Sequence, residues 1–287
     1  MLRTRNIGIG IGLCTALGLL SAPTVARADT AQTLNVKTLE NKDGTYAFTG
    51  IPATLKGGIT QIVLSNVGKE AHDLQIVRIE GVHTADEVAK IISAQDGPTP
   101  SWMHADGGVG DVAPGGTGRA TMNLAAGKYV ILCTQQNQKT QKYHSMQGMT
   151  ALVTVTGAKA TALPTGSTAT VTASEYAFAT TGLKAGKNLV QFNDTGKEIH
   201  HFQLIPILSG KTLDDVKKFL GSQNPTGAPP FDFTKAQGSA AIEKAEGPIL
   251  TEVNLTAGTY AMLCFISDRA GGPPHLMKGM ITQLTIK

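Results

Sequence analysis

The chain has 287 residues, 41% hydrophobic and 16% charged, with 33 Gly and 13 Pro. That is room for two ordinary globular cores, and the balance of apolar and charged residues excludes a disordered, collagenous or coiled-coil chain. The net charge of +4 includes Arg3, Arg5 and Arg27 of an N-terminal leader; beyond it 22 Lys and Arg face 21 Asp and Glu, and with 5% aromatics the chain lacks the basic footprint of a nucleic-acid or anionic-membrane binder.

Residues 1–28 read as a signal peptide. Arg3 and Arg5 form its positive end, Ile7 to Leu20 is apolar but too short to span a bilayer, and Ala26-Arg27-Ala28 is a small-x-small cleavage pattern, so the mature chain is expected to start at Asp29. Cys14 follows Leu13 rather than a small residue, which argues against a lipid anchor. No later segment is long and apolar enough to cross a membrane. The expected product is periplasmic or secreted, where the remaining Cys133 and Cys264 would ordinarily form a disulfide.

The mature chain is one unit written twice, at a spacing of 128 to 131 residues. Tyr46-Ala47-Phe48 returns as Tyr176-Ala177-Phe178, Gly68-Lys69-Glu70-Ala71-His72 as Gly196-Lys197-Glu198-Ile199-His200, and the stretch Ala126 to Cys133 as Ala257 to Cys264. A repeat of that length is a domain rather than a solenoid unit. The expected division is 29–157, a linker over 158–166 that is small and polar, and 167–287.

Within each copy, short apolar runs such as Ile59 to Leu64, Leu74 to Ile79, Tyr129 to Cys133 and Ala151 to Val155 are separated by turn residues, the pattern of an all-β sandwich. One helix interrupts each copy. Thr84 with Glu87, then Val88, Ile91 and Ile92, predict the first; Thr212, Asp215, Val216, Phe219 and Leu220, ended by Gly221, predict the second. Pro206 predicts an edge or a bulge in the strand around it.

After its cysteine each copy runs Cys-x10-His-x4-Met: Cys133, His144, Met149 and Cys264, His275, Met280. Upstream, His72 and His200 each follow a Gly-Lys-Glu turn. The ten residues after Cys133 and the ten after Cys264 share no identity in register, yet both loops keep their length and end on His, as a shared ligand set requires. Two imidazoles, a thiolate and a weak axial thioether suit copper in both oxidation states; structural zinc prefers four strong ligands. Met146 and Met277, three residues earlier, compete with Met149 and Met280, and the glycines preceding the later pair, Gly148 and Gly279, favour those. His201 competes with His200, which the Gly-Lys-Glu register selects, and His83 and His104 read as surface histidines. Equivalent positions in two copies also argue against joining Cys133 to Cys264, which would need α-carbons within about 7 Å.

The segments Leu132-Cys133 with His144-Ser145-Met146-Gln147-Gly148-Met149, and Leu263-Cys264 with His275-Leu276-Met277-Lys278-Gly279-Met280, resemble the type 1 copper loop of cupredoxins. The resemblance covers nearly the whole mature chain, twice. It implies two tandem Greek-key cupredoxin-like β-sandwich domains, each with one short inserted helix, and up to two copper ions per chain, held by His72, Cys133, His144, Met149 and by His200, Cys264, His275, Met280. It implies electron transfer by Cu(II)/Cu(I) cycling, with the downstream His as a surface port and a redox protein partner docking near His144 or His275. Lys139, Lys142 and Tyr143 flank the first port and Pro273, Pro274, Leu276 and Met277 the second, so charge is expected to steer the first contact and an apolar patch the second. Many cupredoxins carry an Asn after the first ligand to tie the ligand loops; here Asp73 and His201 stand there.

Copper sequestration or delivery needs the same ligands and is the alternative reading. The two-domain oxidases and reductases wire a second copper through a His beside the Cys. Here the neighbours are Leu132 and Thr134, Leu263 and Phe265, and only His83, His104 and His201 are spare, so the chain is expected not to be an enzyme. A metal-free scaffold is the remaining reading.

Overall fold

Strict alternation builds the first strand: in β1 (Gln32–Glu40), Leu34, Val36 and Thr38 are buried while Thr33, Asn35 and Lys37 face outward. The computed structural model describes residues 31–287, and the leader expected over 1–28 lies outside them. The first half continues with β2 (Tyr46–Thr49), β3 (Thr54–Lys56), β4 (Gly58–Ser65), β5 (His72–Ile79), α1 (Ala85–Ser93), β6 (Met103–Val112), β7 (Thr117–Leu124), β8 (Gly127–Leu132) and β9 (Thr150–Thr156). The second half holds β10 (Ala169–Ser174), β11 (Ala177–Thr181), β12 (Gly186–Asp194), β13 (Gln203–Pro206), α2 (Leu213–Leu220), β14 (Gln237–Gly238), β15 (Ile249–Leu255), β16 (Gly258–Leu263) and β17 (Ile281–Ile286).

The pairing repeats along with the sequence. Strand β1 lies antiparallel to β2 and parallel to β4, which is antiparallel to β7; β10 stands in the same relation to β11 and β12, and β12 to β15. These two four-stranded sets join edge to edge through Thr121 opposite Leu250 and Ala120 opposite Thr251, making one eight-stranded sheet. The facing sheets have the orders β3-β9-β8-β5-β6 and β14-β13-β16-β17. The architecture is all-β, a cupredoxin-like sandwich in each half, and its main core runs from Leu34 through Leu74 and Phe192 to Ile286.

Both helices start where the capping residues put them. The Thr84 hydroxyl accepts from the Glu87 amide at 3.1 Å, and Thr212 and Asp215 form the reciprocal capping box. Pro206 is the last residue of β13, beyond the two residues that β14 pairs, so its missing N–H removes no rung of that ladder, while its carbonyl accepts the Asp232 amide at 3.0 Å. Strand β6 is glycine-rich because the second half's chain lies directly against it. A Cβ on Gly110 would sit 2.4 Å from the Gly238 carbonyl oxygen. There the Gly107 amide donates to Ala241 and the Glu243 amide to Ala105.

Candidate metal centre

Cys133 and Cys264 follow β8 and β16 at the same strand end, and both are free, buried thiols. In the first half the fold brings three distant stretches to one sulfur. Cys133 Sγ lies 3.7 Å from His72 Nδ1 and 3.6 Å from His144 Nδ1, and the two nitrogens are 3.1 Å apart. Three atoms so spaced surround a point about 2 Å from each, close to metal–nitrogen and slightly short of metal–sulfur bond lengths. Met149 completes the set: it is fully buried, packs with Cys133 and Tyr46, and exchanges backbone bonds with both ligands, Cys133 N to Met149 O at 3.2 Å and Met149 N to His144 O at 2.9 Å. Met146 is 45% exposed. The turn that drops Met149 inward needs φ +99° at Gly148, where a side chain would be strained.

The outer nitrogens are held by carboxylates. His72 Nε2 lies 3.1 Å from Glu40 and His144 Nε2 2.9 Å from Glu70. A carboxylate on Nε2 keeps the proton there and leaves the Nδ1 lone pair for an ion. Burial pulls the His72 pKa down despite Glu40, which keeps the ring neutral. For Glu40 burial acts upward, but hydrogen bonds from the Glu70 amide and from His72 outweigh it and lower its pKa. Burial, with Asp73 nearby, pushes the Cys133 thiol well up, and burial takes Cys264 to about 12. Each thiol keeps its proton until an ion displaces it. The donor set therefore fits a soft ion such as copper.

In the second half Cys264 Sγ is 3.6 Å from His275 Nδ1, and Met280 is buried beside them, its amide bonded to the His275 carbonyl at 2.9 Å. His275 Nε2 meets Asp268 at 3.1 Å, where the first half uses Glu70. Met277 is 50% exposed, and Gly279 repeats the turn at φ +103°. His200 is buried in the equivalent place, but its Nδ1 lies 3.1 Å from Asp194 Oδ2, and its Nε2 has no hydrogen-bond partner among the described residues. The trio His72, Cys133 and His144 closes as a ligand cluster, and the second trio does not.

Asp73 and His201 do what an Asn at that position would do. The Thr134 amide donates to Asp73 at 2.6 Å, with the Thr134 hydroxyl on the other oxygen, and the Phe265 amide donates to His201 Nε2 at 2.8 Å. Burial drives His201 down to about 3, so it stays a neutral acceptor.

Sequence reasoning missed the groups that cover the imidazoles, although two lay inside repeated motifs. Tyr46 stacks on His144 at 4.0 Å and 15°, while Tyr176 meets His275 edge-on at 5.3 Å and 66°. The repetition of Tyr-Ala-Phe and Gly-Lys-Glu was the available signal for Tyr46 and Glu70; for Glu40 and Asp268 there was none.

Three expectations need correction. His144 and His275 are no surface ports, since both are fully buried. The long loops cause this: each folds back over its histidine, the first through the Asn137 amide on the Tyr46 hydroxyl at 2.6 Å, the second against the chain after α1 through Gly272 N to Asp96 O at 2.8 Å. Leu276 is no docking residue, being buried beside Val216 of α2. Nor are the spare histidines plain surface groups. His83 stacks on Trp102 at 3.6 Å, and His104 joins Glu243 and Glu246 of the other half in a second ligand-like cluster. In that cluster Arg269 binds Glu243, and Arg78 and Lys159 bind Glu246, so the carboxylates are already balanced.

No protein-family model matches the chain, and no curated protein matches it. Among solved structures, auracyanin A, a "blue" copper protein from Chloroflexus aurantiacus, aligns with 44% of this chain and 99% of its own at 17% identity and a TM-score of 0.30. A copper nitrite reductase from Nitrosomonas europaea aligns over 90% of this chain and 94% of its own at 14% identity and 0.29. A blue copper oxidase from the same organism aligns over 89% and 86% at 12% identity and 0.26. The likeness is one of fold, cupredoxin-like in both halves. The expectation that the chain is not an enzyme is withdrawn: it rested on the missing His beside each Cys, and the structures similar along nearly the whole chain are named as a reductase and an oxidase.

Proposed function

We propose that the chain is an exported copper protein that passes single electrons, with one type 1 site in each half. The observation that carries this reading is the convergence of His72 Nδ1, His144 Nδ1 and Cys133 Sγ over Met149. Bound copper supplies the Cu(II)/Cu(I) couple. His72 and His144 would hold the ion through their Nδ1 lone pairs, Cys133 would provide the sulfur as thiolate, and Met149 would add a soft thioether sulfur. Glu40, Glu70 and Asp73 hold the donors in place before the ion arrives, which keeps rearrangement on electron gain small. His200, Cys264, His275 and Met280 take the same roles in the second half.

The units are 29–157 and 167–287, joined by 158–166, after removal of 1–28. A redox protein docks over the loop carrying exposed Lys139 and Lys142, or over the one carrying Pro273 and Met277. Storage or delivery of copper is the second reading, favoured by the burial of both downstream imidazoles. Self-exchange measurements separate the two: a carrier exchanges fast, a store slowly.

The test is a visible spectrum with metal analysis on protein expressed with its leader and supplied with copper. The expected result is an intense blue or green thiolate-to-copper band at two ions per chain, lost when Cys133→Ser and Cys264→Ser are combined. Copper-loaded protein without that band overturns the reading.

A further inference from the structure

Asn66 and Asp194 hold equivalent places, six residues ahead of His72 and His200. In each, Oδ1 accepts the amide hydrogen of a glycine two residues on, Gly68 at 2.9 Å and Gly196 at 2.8 Å. The other side-chain atom differs. Asn66 Nδ2 donates to the Glu70 and Val112 carbonyls at 2.8 Å each and has nothing to offer a donor. Asp194 Oδ2 is an acceptor, and it holds His200 Nδ1 with both side chains fully buried.

The two pairs of ligand rings are nonetheless laid out alike, with centroids 4.6 Å apart at 44° in the first half and 4.9 Å at 45° in the second. His200 thus fills the place of His72, but turned about its Cβ–Cγ bond. A methyl placed on Gly196 would lie 2.5 Å from Glu175 Oε1 and 3.0 Å from His200 Cε1, so the ring turns a carbon, rather than a nitrogen, to the side of Gly196 on which Glu175 lies. Glu175 accepts the Lys197 and Glu198 amides as Glu40 accepts those of Lys69 and Glu70; Glu40 alone also takes an imidazole. A half-turn of His200 exchanges Nδ1 with Cδ2 and Nε2 with Cε1. It would free Nδ1 from Asp194 and bring the partnerless Nε2 to Glu175.

We infer that Asp194 is a latch on the second site: it holds His200 turned away in the metal-free chain, and copper enters this site, after the first has filled, as the ring turns onto Glu175. The inference rests on the copper reading of the second half, and its test has an arm that needs no metal. In the metal-free wild-type chain, long-range nitrogen–proton NMR should find the His200 proton on Nδ1 and the His72 proton on Nε2; a proton on His200 Nε2 overturns the latch. In the second arm, Cys133→Ser leaves only the second site, and Cu(I) affinity is read by competition with a chromophoric chelator. Adding Asp194→Asn, which restores the residue of the first half, should tighten binding at least fivefold, and a smaller gain overturns the inference. If neither variant binds Cu(I) while Cys264→Ser still binds one ion, the copper reading of the second half has failed, and the NMR arm still decides the latch.

Discussion

The first centre is closed and the second is held open, although the ligand types and loop lengths are the same. In the first half both ring nitrogens face the cysteine sulfur and both outer nitrogens meet carboxylates. In the second, one ring has turned to a buried aspartate. The difference lies in the residues around the ligands, where Asn66 is replaced by Asp194 and Tyr46 stacks while Tyr176 stands edge-on. Duplication preserved the ligands and let their supports diverge, and the supports decide which way a ring faces.

The comparison can be sharpened first at the seam, where neither centre contributes. Asp106 on β6 is buried with neither oxygen hydrogen-bonded, and burial, together with Glu246, lifts its pKa to about 8. Between its unfolded value near 4 and about 8 the native chain holds a proton that the unfolded chain has lost, so stability falls as pH rises across that window and levels off above it. The slope from this group reaches about 1.4 kcal/mol per pH unit. Asp106→Asn should flatten it, read from denaturant midpoints at pH 5, 6.5 and 8; equal slopes in both proteins would place the effect elsewhere.

Glu40→Ala should weaken copper binding at the first centre by roughly 10- to 100-fold, because His72 loses the partner that sets its tautomer. The second centre should not change, which copper titration of Cys264→Ser and Cys133→Ser backgrounds checks. An equal loss in both would mean that the centres are coupled.

The loop ties differ in strength. Asp73→Ala strands the half-buried Thr134 amide and removes a carboxyl acceptor that also takes the Thr134 hydroxyl, for about 2 kcal/mol, whereas His201→Ala removes a neutral acceptor from the Phe265 amide, for about 1 kcal/mol plus the cavity left by the ring. Unfolding of the metal-free variants measures both, and a larger loss for His201→Ala would show that the ring's packing outweighs its hydrogen bond.

The smallest contrast is at the turns before the methionines. Gly148→Ala and Gly279→Ala both force a side chain into the left-handed region, at about 1 kcal/mol each. Only the first also brings a Cβ to 3.2 Å from the Tyr46 carbonyl oxygen, so it should be the more destabilising. Identical melting shifts would remove the distinction.

Much of this was readable from residue order. The capped helices, the strand cores such as Ile59 to Leu64, the duplication and the Cys-His-Met spacing all depend on neighbours in sequence, where periodicity and turn chemistry act. The burial of Leu276, the pairing of His104 with Glu243 and the role of Glu40 depend on which surfaces meet, and no local pattern encodes that.

By itself, then, the amino-acid order determined an all-β chain written twice and the donor atoms each copy brings, because strand alternation and loop length are local properties. Tertiary structure alone decided that the downstream imidazoles lie under their own loops, that the two halves share one sheet, and that His200 faces Asp194. The first two turn on which distant segments pack together, and the third on which acceptor then lies nearest a buried nitrogen, a matter of a few ångströms.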